Sequence, residues 1–271
     1  MPKKVMSQEP GDRLKAYATA QLQRAILCLG WRGSRAHAGV HQARKSLRRT
    51  RACLALGESA LGAGAGMIDR ELSKVCDSLS ALRDAQARVE SLDRLIDHHD
   101  GSEIQTCLQA ARRLAIQARA EAMRQEQSLD SQFLSRRERL KVLAAAIPVL
   151  PWEQISIAGL LRAMQTTMLA CDTAADTALS HGKEKDWHRL RRRRRRLAQQ
   201  FTALENSGIE LPQVVAPDKK IGSLLGEAQD LTLLRAFFQK HHGLSVDDAM
   251  QLRRFLKTQF RHLSSEAMGG K

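Results

Sequence analysis

The chain has 271 residues, a formal net charge of +15 and a pI near 10.2, with 43% hydrophobic residues but only 4% aromatic ones. That length supports one large domain or two modest ones, and a composition rich in Ala and Leu but poor in Val, Ile and Tyr favours packed helices over sheets. The charge points to an acidic partner such as nucleic acid, polyphosphate or an anionic membrane surface, while no apolar run approaches the roughly eighteen uncharged residues of a membrane-spanning helix.

In chain order, Met1-Pro2-Lys3-Lys4 has no apolar segment behind it, which predicts a protein that is not secreted. Leu14, Tyr17, Ala18, Gln21, Leu22, Ala25 and Leu29 form a first helical stripe ending near Gly30 and Gly33. Val40, Ala43, Leu47 and Leu54 form a second, ending at Gly57, and the glycine-rich stretch 57–66 is expected to be a flexible connector. A third stripe holds Leu72, Val75, Cys76, Leu79, Leu82, Val89, Leu92 and Ile96 and stops at Asp100-Gly101. A fourth runs over 102–147, long enough to predict a break around 129–135. Pro148 and Pro151 then interrupt the chain. Further helices are predicted near 155–180, 185–206, 219–241 and 245–265. The expected fold is all-α, a duplicated helical bundle with four helices on each side of the prolines, divided as 1–148 and 149–271.

The charge is concentrated in two of these helices. One contains Val40-His41-Gln42-Ala43-Arg44-Lys45-Ser46-Leu47-Arg48-Arg49-Thr50-Arg51, the other Trp187-His188-Arg189-Leu190 followed by six arginines at 191–196. With His41 laid on His188, Arg44, Lys45, Arg48 and Arg49 fall on Arg191, Arg192, Arg195 and Arg196. Positions 41–51 and 188–196 hold twelve of the 44 basic residues, so solubility alone does not explain them. Positions 41, 44, 45 and 48 share one helical face. A second marker follows each ladder: Leu82-Arg83-Asp84 places Asp84 43 residues after His41, and Ala228-Gln229-Asp230 places Asp230 42 residues after His188.

These segments resemble the CHAD family, histidine-containing α-helical domains that bind inorganic polyphosphate. The resemblance rests on Val40-His41-Gln42-Ala43-Arg44-Lys45 with Leu47-Arg48-Arg49, on Leu82-Arg83-Asp84, on His188-Arg189-Leu190-Arg191 with its arginine run, and on 224–230. It implies two pseudo-symmetric four-helix bundles, together one domain, with a basic groove or pore between them. It further implies a non-catalytic binding or granule-targeting module, since the alternating glutamates of a fused triphosphate-tunnel domain do not occur here. Gln229 departs from the pattern by standing where the first half has Arg83. Arg194 does so by taking the phase of Leu47, which requires either that its stem snorkels or that its helix turns toward the ligand.

Arginine suits a polyphosphate because its planar guanidinium donates paired hydrogen bonds to phosphate oxygens and stays charged. The candidate binding residues are therefore His41, Arg44, Lys45, Arg48, Arg49, Arg51, Arg83, His188, Arg191, Arg192, Arg195 and Arg196. Each histidine offers phosphate a donor, or a cation once protonated; a capping or packing role is the alternative. Asp84 and Asp230 are candidates to orient basic residues of a facing helix, against the alternative of plain surface ion pairs. Arg83, in phase with Leu72 and Leu79, should be partly buried and in need of a partner that a bound anion would supply.

Other signals are weaker. His98-His99-Asp100 and His241-His242 suggest a metal, but adjacent helical histidines point about 100° apart and no HExxH supports them, so neither metal nor cofactor is expected. Cys28, Cys53, Cys76, Cys107 and Cys171 are scattered among apolar neighbours, as buried reduced thiols of a cytoplasmic protein would be. No nucleophile–base pair or phosphate-binding loop is present, so no catalysis is expected. Non-specific nucleic-acid binding is the alternative function, although no aromatics are interleaved with the arginines for base stacking. A homo-oligomer is compatible with the sequence.

Overall fold

Helix α1 (Pro10–Leu29) begins with Pro10 in its first turn and Asp12 beside the positive end of the helix dipole. It buries Leu14, Ala18, Leu22, Ala25 and Leu29 against α2 (Ala36–Leu56). A Cβ at Gly39 would lie 2.3 Å from the Cys28 carbonyl oxygen; glycine there lets α2 approach the end of α1. The computed structural model describes residues 9–240, 243–267 and 269, in which ten α-helices and several short 3-10 turns occur and no strand. The expectations for 1–4 and for His241-His242 lie outside the described residues.

The glycine-rich stretch is not a connector. From Glu58 onward it lies within α3 (Glu58–Ser78), broken at Gly62, whose φ of 67° is readily adopted only without a side chain. The third stripe breaks at Leu79, separating α3 from α4 (Ser80–His98). The fourth breaks as expected between α5 (Gln105–Leu129) and α6 (Leu134–Ala146). Gln132 and Phe133 both take positive φ there, and the buried Phe133 ring holds the turn in place. Six α-helices therefore precede the prolines among the described residues. Four follow: α7 (Ile157–His181), α8 (Glu184–Asn206), α9 (Lys219–Lys240) and α10 (Val246–Glu266).

Packing groups the chain into two units that do not follow the prolines. The first comprises Met1–Leu79, Gln132–Thr173 and Arg193–Pro217; the second comprises Ser80–Ser131, Ala174–Arg192 and Asp218–Lys271. Pro148 and Pro151, expected to mark the boundary between 1–148 and 149–271, instead bend the chain inside the first unit. They deliver Trp152 into its core beside α1, with the indole Nε1 donating to the Ile147 carbonyl at 2.7 Å. The second unit is built on Val89 and Leu92 of α4, Leu108 and Ala111 of α5, Leu231 and Leu234 of α9, and Leu252, Leu256 and Phe260 of α10. Trp187 packs against this core and against the neighbouring cluster around Ala178, Leu190 and Leu225.

All five cysteines are buried and free. Burial pushes the Cys53 thiol up to about 12 and the Cys107 thiol to about 11, so neither supplies a thiolate near neutral pH.

Candidate anion-binding site

In the first unit, α2 buries Val40, Ala43, Leu47, Thr50 and Leu54. This face fixes the rest: His41 and Lys45 are exposed, while Arg44, Arg48, Arg49 and Arg51 are half-buried. Two of these arginines hold the fold together. Arg44 Nη1 donates to the carbonyl of Cys76, at the C-terminal end of α3 where helix carbonyls lack intrahelical donors and a cation is favoured. Arg51 donates through Nε and Nη2 to both oxygens of Asp69, at 2.8 and 3.1 Å. Burial opposes the charge of Arg51, but the bonds and charge of Asp69 outweigh it and its pKa rises. Arg48 Nε donates to the Arg44 carbonyl at 3.1 Å. Arg49 lies near Tyr17 of α1, whose phenol is pushed upward by burial and drawn back by this guanidinium. The Tyr17 hydroxyl is buried without a hydrogen-bond partner, a feature the apolar-stripe reading did not anticipate.

Helix α8 carries the second ladder. Leu190 and Leu197 face inward, and His188, Arg192 and Arg196 are exposed. Arg194 shares the inward phase and is half-buried, its Nε enclosed without a hydrogen-bond partner. His188, Arg191 and Arg192 belong to the second unit, Arg195 and Arg196 to the first, yet one continuous helix places 188, 191, 192 and 195 in a single row.

The second unit gives Asp230 a role that its sequence did not settle. It is only 9% exposed and is no surface pair. Arg83 Nη1 of α4 lies 3.3 Å from its Oδ1, Arg94 Nη2 of α4 3.7 Å from Oδ2, and Arg191 Nη2 of α8 4.0 Å from Oδ1. Burial pushes the Asp230 carboxyl above its ordinary value, with Arg83, Arg191 and Arg94 pulling it partly back. Burial likewise lowers Arg191, against support from Asp230. Arg83 is partly buried as expected, but its partners are two carboxylates, Asp230 and its chain neighbour Asp84 at 3.3 Å, rather than a vacancy that an anion must fill. Asp84 thus pairs within its own helix. The Oε1 of Gln229 accepts from His188 Nδ1 at 2.5 Å, so the residue that departs from the repeat pattern orients the ladder's histidine. Arg94 was not legible as a site residue; its only sequence signal is its helical phase with Arg83.

His98 and His99 have a local explanation. Their Nδ1 atoms donate to the carbonyls of Arg94 and Leu95, at 2.7 and 2.9 Å, closing the end of α4. Among the described residues no group of three His, Cys, Asp or Glu side chains gathers as for a metal ion.

The architecture is therefore an all-helical protein with arginine-rich rows on α2 and α8. The CHAD domain matches residues 16–239, and the chain belongs to that family, whose members are linked to polyphosphate. Two solved structures are similar in fold. PptA from Streptomyces chartreusis is 20% identical with a TM-score of 0.63, over 96% of this chain and 97% of that one. The CHAD domain from the plant Ricinus communis is 16% identical with a TM-score of 0.61, over 100% of this chain and 97% of that one. No curated protein matches the chain.

Proposed function

We propose that this protein binds inorganic polyphosphate through the ladders of α2 and α8, as a binding module that catalyses no reaction and that carries its chain to polyphosphate granules. The observation that carries this reading is the α8 row of His188, Arg191, Arg192 and Arg195, with no carboxylate within 188–196. Helix α2 likewise has no Asp or Glu anywhere in 36–56. Successive turns of a helix place such cations about 5.4 Å apart, a spacing that serves a flexible chain carrying about one charge per phosphate. Family membership supports the same ligand. No helix among the described residues is long and apolar enough to cross a membrane.

The test is a titration with long-chain polyphosphate over a range of salt concentrations, followed by competition against DNA. Each phosphate neutralised on a single-stranded polyanion contributes about −0.7 to the slope of log K on log salt, so eight ladder cations give a slope on the order of −5. Polyphosphate should displace DNA at far lower phosphate-equivalent concentration than the reverse. A slope near zero, or equal displacement in both directions, would overturn the reading; the second result would leave a non-specific polyanion binder.

A further inference from the structure

Arg94 belongs to neither ladder, yet it meets the same carboxylate as Arg83 and Arg191. Positions 83, 87 and 94 lie on one face of α4. Ala87, between the two arginines, is buried and small, and α9 packs on α4 here. Three guanidiniums from two helices thus converge on Asp230, where like charges would otherwise drive them apart. None of the three contacts is a two-bonded fork: each pairs a single terminal nitrogen with one oxygen, at 3.3, 3.7 and 4.0 Å. A guanidinium has five N–H donors, so most of each donor set is not engaged by Asp230. Arg94 Nη2 also donates to Ser91 Oγ at 3.1 Å. The side chains of Arg83 and Arg191 are 19% and 14% exposed, whereas that of Arg94 is 43% exposed. The open end of the cluster is therefore Arg94.

We propose that Asp230 is a positioning residue that gathers Arg83, Arg94 and Arg191, and that Arg94 extends the polyphosphate-binding row of α8 onto α4. This rests on the polyphosphate reading above. It commits to a sign that simple charge counting does not give. If Asp230 merely offset positive charge, its removal would tighten the binding of a polyanion. As the residue that holds three guanidiniums in place, it must weaken binding when it is neutralised.

The experiment titrates inorganic polyphosphate into the wild type, Arg94→Gln, Asp230→Asn, the double variant, and Arg124→Gln. Thermal unfolding followed by circular dichroism reports the fold of each. Arg124 is on α5 with a 74% exposed side chain that pairs with Glu121, so its substitution makes the same net-charge change at an arginine that does not pair with Asp230. Arg94→Gln should weaken binding roughly fivefold and shrink the salt slope by about 0.7, with Arg124→Gln close to wild type. Asp230→Asn should weaken binding at least as much, and the double variant should add little, because the two substitutions break one unit. A folded Asp230→Asn that binds as well as or more tightly than wild type overturns the proposal. Equal effects of Arg94→Gln and Arg124→Gln overturn it as well, and decide the matter alone if Asp230→Asn does not fold. Failure of the wild type to bind polyphosphate would instead remove the reading on which the proposal stands.

Discussion

The ladders on α2 and α8 use the same residue types at matching positions, but they are held in place by different means. On α2, Arg44 rests on the carbonyl end of α3 and Arg51 on Asp69. On α8, Arg191 shares the buried Asp230 with two other arginines, and His188 is oriented by Gln229. A row of like charges resists being assembled, so each ladder needs an opposing dipole or charge beside it. Arg44 of α2 rests on a backbone carbonyl that no accessible pH can change, whereas Arg191 of α8 rests on a buried carboxylate. The difference makes the two ladders separable by experiment.

The largest effect should come from removing cations in pairs. Arg191→Ala with Arg195→Ala, and Arg44→Ala with Arg48→Ala, should each lower polyphosphate affinity by at least about tenfold, since every lost guanidinium removes charge-assisted bonds to phosphate. Stability should distinguish the two pairs. Loss of Arg44 deprives the Cys76 carbonyl of its donor and should cost on the order of 1 kcal/mol, whereas loss of Arg191 relieves repulsion around Asp230. Melting temperature should therefore fall for the α2 pair and hold or rise for the α8 pair. The same fall in both would show that the anchors are equivalent after all.

The regions of this molecule that were legible in sequence are those governed by periodicity. The inward faces of α1, α2 and α4, the break between α5 and α6, and the four helices after the prolines all follow from apolar spacing and breakers. So does the exposure of His41, Lys45, His188 and Arg192, because burying Leu47 and Leu190 leaves those phases outside. What periodicity does not encode is which polar groups meet. Nothing around Arg51 announces Asp69, eighteen residues away, and Arg94 looks like any helical arginine until α9 brings Asp230 to it. Glycine was misleading for a related reason. In the 57–66 stretch composition argues for a loop, but from Glu58 onward the segment is helical except at Gly62. Pro148 and Pro151 do break the helix; that they bend the chain within one packed unit is a tertiary fact, decided by where Trp152 is buried.

A smaller effect should separate the histidines. With Gln229 Oε1 accepting from Nδ1, neutral His188 presents the lone pair of Nε2, which repels a phosphate oxygen; protonation turns that nitrogen into a donor. Binding should strengthen a few-fold as pH falls from about 8 to 6, because a polyanion beside an imidazole favours its charged form. His188→Gln should flatten this profile more than His41→Gln, while the salt slope stays almost intact because the arginines remain. A profile unchanged in the double variant would make both histidines packing or capping residues.

The smallest effect concerns the anchors themselves, without ligand. Burial raises Asp230 above its ordinary value despite the three guanidiniums. A carboxyl whose folded-state pKa exceeds its unfolded one contributes stability that is complete below the unfolded value, about 3.9, and is lost as pH rises through the folded one. Acidification from neutral toward pH about 4 should therefore shift the stability difference between wild type and Asp230→Asn in favour of the wild type. Glu71 supplies the opposite sign: hydrogen bonds from Lys74 and Arg139 hold its carboxyl below the ordinary range, so what it contributes is present at neutral pH and fades on acidification. The difference between wild type and Arg44→Ala should stay flat over the same range, since a backbone carbonyl takes up no proton. Urea unfolding of the wild type, Asp230→Asn, Arg44→Ala and Glu71→Gln at several pH values measures these differences. If acid instead cost the wild type stability relative to Asp230→Asn, the guanidiniums would outweigh burial, and the anchor of α8 would be an ordinary salt bridge.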